Sequence, residues 1–142
     1  MYITHEPISL QDFFSFPIPV SAGALSSFVG IVRNHSGGKK VKELYYECYP
    51  SMANRMLENI ISQARGEWET GGVSVIHRVG RLRVGEAAVA IAVASSHRDE
   101  SFKACRFIIE SIKKNVPIWK KEIFEDGSSE WGVCSHQEPV LL

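Results

Sequence analysis

Ala87-Ala88-Val89-Ala90-Ile91-Ala92-Val93-Ala94-Ser95, followed at once by Ser96-His97-Arg98-Asp99-Glu100-Ser101-Phe102, is the stretch on which the fold turns. Nine small and β-branched residues without a charge read as a strand buried on both faces. The residues after it carry a helix start: Ser96 as a possible cap, with Asp99 and Glu100 in the first turn, where the helix dipole favours negative charge. The helical pattern runs to Asn115-Val116-Pro117, where the residue before proline is pushed to extended geometry. A buried strand feeding a long helix requires other strands to carry that helix, and the rest of the chain supplies them.

Upstream, Val73 to Val79 is strand-like, separated from Ala87 by Gly80 to Glu86, whose two glycines suit a tight turn or bulge. Before it, Met52, Met56, Ile60, Ala64 and Trp68 recur at helical spacing from Pro50 until Gly71-Gly72, and that stripe reads as core. Gly23 to Arg33 and Val41 to Cys48 are rich in β-formers and flank the loop Asn34-His35-Ser36-Gly37-Gly38-Lys39-Lys40, which predicts a long hairpin. Ser9, with Asp12 three residues on, opens a short helix stopped by Pro17 and Pro19. Downstream, Ile118 to Phe124 and Ser129 to Val133 predict a hairpin around Glu125-Asp126-Gly127-Ser128. The fold class is α+β, mostly antiparallel, with two long helices on the sheet. No repeat or linker divides the chain, so residues 1–142 are expected to form one domain.

Lys and Arg number 16, as do Asp and Glu, so the overall charge gives no sign of a nucleic-acid or membrane partner. No apolar run reaches the roughly 20 residues that span a bilayer, and the start lacks a signal-peptide pattern, so a cytoplasmic location is expected. The three cysteines, Cys48, Cys105 and Cys134, have no C-x-x-C spacing, and no His/Cys/carboxylate cluster has ligand spacing. Neither metal nor organic cofactor is expected.

Basic residues at element ends are the candidates for chemistry. With Phe102 at zero and about 100° per residue, Ile109, Cys105 and Ile112 fall at about −20°, −60° and −80°, and Lys113 at about +20°. Lys113 thus borders the apolar face, where a lysine either snorkels to water or loses part of its solvation. Beyond Pro117, Lys120 and Lys121 alternate faces of a strand, so only one of them can share a pocket with Lys113. His97-Arg98 stands where strand becomes helix, a place where backbone N–H groups and a guanidinium converge on an anion. Arg33 ends another strand in the same manner. His77-Arg78, inside a strand pattern, reads as structural.

Five ordered blocks carry a family resemblance. They are Phe28-Val29-Gly30-Ile31-Val32-Arg33-Asn34, Tyr46-Glu47-Cys48-Tyr49-Pro50-Ser51-Met52-Ala53, His77-Arg78-Val79-Gly80-Arg81-Leu82-Arg83-Val84-Gly85-Glu86, Ser96-His97-Arg98-Asp99-Glu100-Ser101-Phe102, and Lys113-Lys114-Asn115-Val116-Pro117-Ile118-Trp119-Lys120-Lys121-Glu122. Together they resemble the large, catalytic subunit of molybdopterin synthase. The resemblance implies an α/β-hammerhead-like fold and a heterotetramer: a central dimer of large subunits with a small ubiquitin-like sulfur carrier at each end. It implies that sulfur passes from the carrier's C-terminal Gly-Gly thiocarboxylate to cyclic pyranopterin monophosphate, giving the dithiolene of molybdopterin. Carried over by motif, Lys113 and Lys120 are catalytic, and Arg33, His97 and Arg98 bind the substrate. A basic residue from the dimer mate's C-terminal region is not matched here, since no arginine follows Arg106.

Two other readings compete. A non-catalytic anion-binding or scaffold module docking a ubiquitin-like partner predicts that Lys113→Ala changes neither binding nor activity. A Schiff-base enzyme using Lys113 predicts trapping by borohydride with a carbonyl substrate.

Overall fold

The structure, a computed structural model, describes residues 1–133. Its centre is β7 (Ala87–Ser95), every residue of which is buried. Antiparallel neighbours β5 (Gly72–Arg78) and β2 (Ala24–Ile31) flank it, and the two-residue β1 (Ile3–Thr4) adds to β5 in parallel. Helices α2 (Pro50–Glu67) and α3 (Arg98–Asn115) pack on each other, and α3 packs on β7 and β2. Short α1 (Leu10–Phe13) is capped by Ser9, whose hydroxyl accepts from the Asp12 N–H at 3.3 Å.

A second, five-stranded sheet is built on β4 (Lys39–Cys48). β3 (His35–Ser36) and β6 (Gly80–Arg83) pair with β4, as does β8 (Ile118–Phe124), and β9 (Ser129–Val133) pairs with β8. The chain passes from the first sheet to the second at Val79-Gly80, where Gly80 takes φ +93°. That left-handed conformation costs a glycine little and turns the strand sharply. The crossing sets the end of β5 against the middle of β4, and the candidate site lies there.

The expected α+β class, the two long helices and the mostly antiparallel pairing are what the structure contains. Local details differ. The long hairpin expected of Gly23 to Arg33 with Val41 to Cys48 does not form, because β2 pairs with β7 in one sheet and β4 with β6 and β8 in the other. The tight hairpin is that of β3 with β4, turned at Gly37 and Gly38, whose φ of +56° and +80° are the positive pair of a two-residue type I′ turn. Helix α2 ends at Glu67 rather than at Gly71-Gly72. Its buried face is Ala53, Leu57, Ile60, Ile61 and Ala64, whereas Met52 is 47% exposed. Of the Met52–Trp68 stripe, Ile60 and Ala64 are buried in the core and Met56 and Trp68 pack against it partly buried, so only Met52 stands off the core. Leu57, Leu82, Ile91, Ile108 and Ile118 are fully buried, each contributing about 1.5–3 kcal/mol by leaving water.

Candidate active site

Helix α3 buries Ser101, Ala104, Cys105, Ile108 and Ile112. Its axis of burial is therefore rotated from the sequence expectation, and Phe102 stands 62% exposed. Lys113 lies on the stripe of Phe102 and Ile109; it is half-buried, while Lys114 is exposed. The cap is His97 rather than Ser96, without a side-chain capping bond. The helix stops at Asn115 because Val116, preceding Pro117, is extended (φ −80°, ψ 121°). Two residues on, Ile118 opens β8.

Register then sorts the lysines. Lys120 is directly opposite Tyr46, and directly opposed residues share a face of the sheet. Lys120 lies 3.8 Å from the Glu122 carboxylate on that face. Lys121 points the other way, with its ammonium 5.8 Å from the centre of the Trp131 ring.

The buried Tyr46 ring meets His77 edge-on, centroids 5.6 Å apart. His77 is only 3% exposed, and its Nδ1 lies 2.8 Å from the Arg78 carbonyl oxygen. Burial drives the His77 pKa down to about 4, the carbonyl hydrogen bond opposes this, and the positive charge of Lys113 adds to the depression. Lys113 is thus within electrostatic reach of His77. The strand pattern alone reads His77-Arg78 as structural. That reading fits Arg78, whose guanidinium binds the Glu86 carboxylate and the Arg81 carbonyl oxygen, each at 2.9 Å. It also fits the packing of His77, which is buried against Tyr46 and bonded to the Arg78 carbonyl oxygen, with Lys113 within electrostatic reach. The signal in the sequence is its place just before Gly80, but the crossing shows only once both sheets are known.

Arg33 and His97-Arg98 are all exposed. Arg33 follows Val32, which pairs with Glu86 (3.0 Å) and Gly85 (2.9 Å) at the start of β7. His97 and Arg98 follow Ser95, which is opposite Ala24 at the far end of the same ladder. Seven residue steps along β2 separate these ends, about 24 Å at ~3.4 Å each. His77 pairs with Val89 near the β7 start, so Lys113, Lys120 and Arg33 share one end of the molecule, and His97 and Arg98 hold the other. The junction at the far end is tightly built. The Ser95 hydroxyl donates to the His97 carbonyl oxygen (2.5 Å), the Ser101 hydroxyl to that of Arg98 (2.9 Å), and a Cβ on Gly23 would lie 2.5 Å from the Ser96 carbonyl oxygen.

Burial pushes the thiols of Cys48 and Cys105 up, away from thiolate chemistry, and Cys134, with the C-terminal tail, lies outside the described residues. Among the described residues no three His, Cys, Asp or Glu side chains group as a metal set, and no helix is long and apolar enough to cross a membrane.

A family model described as MoaE protein matches residues 3–115. The molybdopterin synthase catalytic subunit of Nostoc sp. is 42% identical over 136 residues, 93% of this chain and 82% of that protein. The crystal structure of molybdopterin synthase from Staphylococcus aureus superposes with a TM-score of 0.86 at 40% identity, covering 92% of this chain and 95% of that one. A complex of subunits 1 and 2 of molybdopterin-converting factor from Helicobacter pylori shares the fold, with a TM-score of 0.73 at 18% identity over 97% of this chain and 90% of that one. The chain therefore belongs to the MoaE protein family, whose curated relatives are molybdopterin synthase catalytic subunits.

Proposed function

We propose that this chain is a sulfurtransferase that moves sulfur from the C-terminal thiocarboxylate of a small ubiquitin-like carrier to cyclic pyranopterin monophosphate. The observation that carries the reading is Lys120 opposite Tyr46, whose ring meets His77, with Lys113 within electrostatic reach of that histidine. Attack by the thiocarboxylate sulfur on a carbon of the pterin side chain builds negative charge on oxygen, which ammonium groups held in a half-buried pocket offset. Water then cleaves the acyl–sulfur bond, leaving sulfur on the pterin and a carboxylate on the carrier. A lysine relays the protons. Each round also breaks the carbon–oxygen bond of the attacked carbon, its oxygen leaving with the ring phosphate in one round and as water in the other, so two rounds give the dithiolene and the cyclic phosphate opens. Sulfur arriving on a partner agrees with the two described thiols, both held protonated by burial.

Arg33, His97 and Arg98 bind the substrate's phosphate and pterin, with His97 and Arg98 coming from a second copy of the chain. Two features support this. The ladder separates His97-Arg98 from the lysines, and β2 is an edge strand with exposed Leu25, Phe28 and Ile31 beside the exposed Phe102 of α3. An unpaired edge strand with apolar side chains is a template for pairing. A two-fold axis across β2 sets the strand antiparallel to its mate, so the His97 end of one copy meets the Arg33 and Lys113 end of the other. The carriers occupy the outer ends of this central dimer, forming a heterotetramer. The test is to mix the purified protein with a thiocarboxylated carrier and the cyclic pterin phosphate. Formation of molybdopterin is expected, and no product with a carrier of proven activity sinks the reading.

A further inference from the structure

Between α1 and β2 runs the apolar segment Phe14-Ser15-Phe16-Pro17-Ile18-Pro19-Val20, in which Phe14, Ile18 and Val20 are exposed, Val20 fully so. Phe16 and Pro19 hold it against the start of β5. A Cβ on Gly71 would lie 3.0 Å from the Pro19 ring, and one on Gly72 would lie 3.6 Å from the Phe16 ring. The Ala22 N–H donates to the Pro19 carbonyl oxygen at 3.0 Å, closing a turn with Val20 at its tip. The Gly23 N–H then donates to the Ser95 carbonyl oxygen at 2.9 Å, which sets that turn beside the His97-Arg98 junction.

Register fixes the face of the first sheet on which the segment lies. Gly72 is opposite Ala94, and Ala94 is opposite Leu25, so the three share a face. Ser26 points the other way, and its hydroxyl meets that of Ser101 on α3 at 2.7 Å. The segment therefore lies on the face turned from α3, the face to which Leu25 and, by alternation, Ile31 belong. Both are exposed on the edge strand.

We propose that residues 14–20 form an arm that docks on a second copy of this chain, laying Ile18 and Val20 against Ile31 at the opposite end of the mate's β2. The proposal rests on the two-copy pocket put forward above. A two-fold axis that pairs β2 antiparallel with its mate stands perpendicular to the shared sheet, so it keeps the faces and exchanges the ends. Leu25 of one copy then neighbours Ile31 of the other, on the face where both arms lie. The arm continues that apolar contact past the end of the strand, covering side chains that each copy alone leaves in water. It also stops β2 from slipping in register against its mate, and so sets His97 and Arg98 against the mate's Arg33.

Paired cysteines test the contact. Within one copy Val20 stands at the Ala24 end of β2, and Ile31 is seven steps along, about 24 Å at ~3.4 Å each. That is too far for an intrachain disulfide, which needs Cα atoms within about 7 Å. In a Cys134→Ser background, a chain carrying both Val20→Cys and Ile31→Cys should oxidise to a covalent dimer, and neither single variant should. Ile18→Glu with Val20→Glu, both on exposed positions, should keep the circular dichroism of the wild type and raise the dimer dissociation constant about tenfold or more in sedimentation. A wild type that dimerises while the double-cysteine chain stays unlinked overturns the proposal, as does a folded Glu variant with an unchanged dissociation constant or a wild type that is monomeric. If the Glu variant does not fold, the cross-link decides. These measurements need neither carrier nor pterin. Dimers that cross-link as expected yet form no molybdopterin leave the arm standing and sink the sulfurtransferase reading, so the two fail separately.

Discussion

The sharpest expectation is that two inactive variants restore each other. Lys113→Ala and Arg98→Ala each remove a charge from the proposed pocket, yet the residues stand near opposite ends of α3, an 18-residue helix. At 1.5 Å per residue the step from Arg98 to Lys113 is about 22 Å along the helix axis. No arginine or lysine side chain bridges such a gap, so the two groups serve one substrate only if they come from different copies. In a two-fold dimer holding one variant of each kind, one pocket carries both lesions and the other carries none. Such a heterodimer, isolated through two different tags, should show about half the wild-type rate, and equal co-expression with random pairing about one quarter. Arg33→Ala supplies the internal control. Arg33 shares its end of the chain with Lys113, so the Lys113→Ala and Arg33→Ala pair should leave both pockets damaged and no activity restored. The assay is molybdopterin formation at saturating carrier, normalised to dimer concentration. A tagged Lys113→Ala/Arg98→Ala heterodimer no more active than its parent homodimers would refute the two-copy pocket.

Lys113→Ala should lower single-turnover rate by about 100-fold or more, while Lys114→Ala, exposed one position along, should stay within about twofold; circular dichroism checks that both are folded. Arg98→Ala is expected to weaken pterin phosphate binding more than carrier binding, which calorimetry against each ligand reads directly. Gly23→Ala forces a Cβ to within 2.5 Å of the Ser96 carbonyl oxygen. Backbone has to shift there, so urea denaturation should show a loss of about 1–3 kcal/mol, together with weakened pterin phosphate binding through the displaced His97-Arg98 junction. His77 makes stability depend on acid: its folded pKa of about 4 lies below the ordinary 6.5, so the unfolded chain binds more protons between those values. Stability therefore falls as pH drops through that window, with a deficit of roughly 3 kcal/mol complete below it. His77→Phe lacks the group and should lose less stability between pH 7 and pH 4, measured by urea midpoints at both.

The parts of this architecture that depend on local chemistry were legible in the sequence. The uncharged run Ala87–Ser95 is a strand buried throughout, and Pro117 ends α3 where expected. Alternation correctly required Lys120 and Lys121 to part, but which of them joins Lys113 depends on the residue opposite, and that is a matter of β4–β8 register. The same holds for distance. Arg33 and Arg98 both stand at strand ends, and only antiparallel pairing of β2 with β7 makes them opposite ends. The surroundings of His77 were hidden for a related reason, since its partner Tyr46 belongs to another sheet and meets it only where the chain crosses at Gly80.

The exposure of Phe102 carries physical content of its own. Periodicity counts apolar residues at helical spacing as one face, whatever covers that face. In the folded chain Phe102 and Ile109 of this stripe line one groove with exposed Leu25 and Phe28 of edge strand β2. Contiguous apolar surface of this kind marks an interaction site more often than chance exposure does. The stripe ends on the lysine proposed to do the chemistry, and the ladder beneath it ends on the groups that lysine lacks. One association across β2 therefore satisfies both requirements, covering the apolar surface and completing the charge set. Replacing Leu25 by Glu tests that link: it should shift the dimer toward monomer in light scattering and abolish activity while leaving Lys113, His77 and Tyr46 in place. A Leu25→Glu monomer of full activity would separate the two requirements and return the pocket to a single chain.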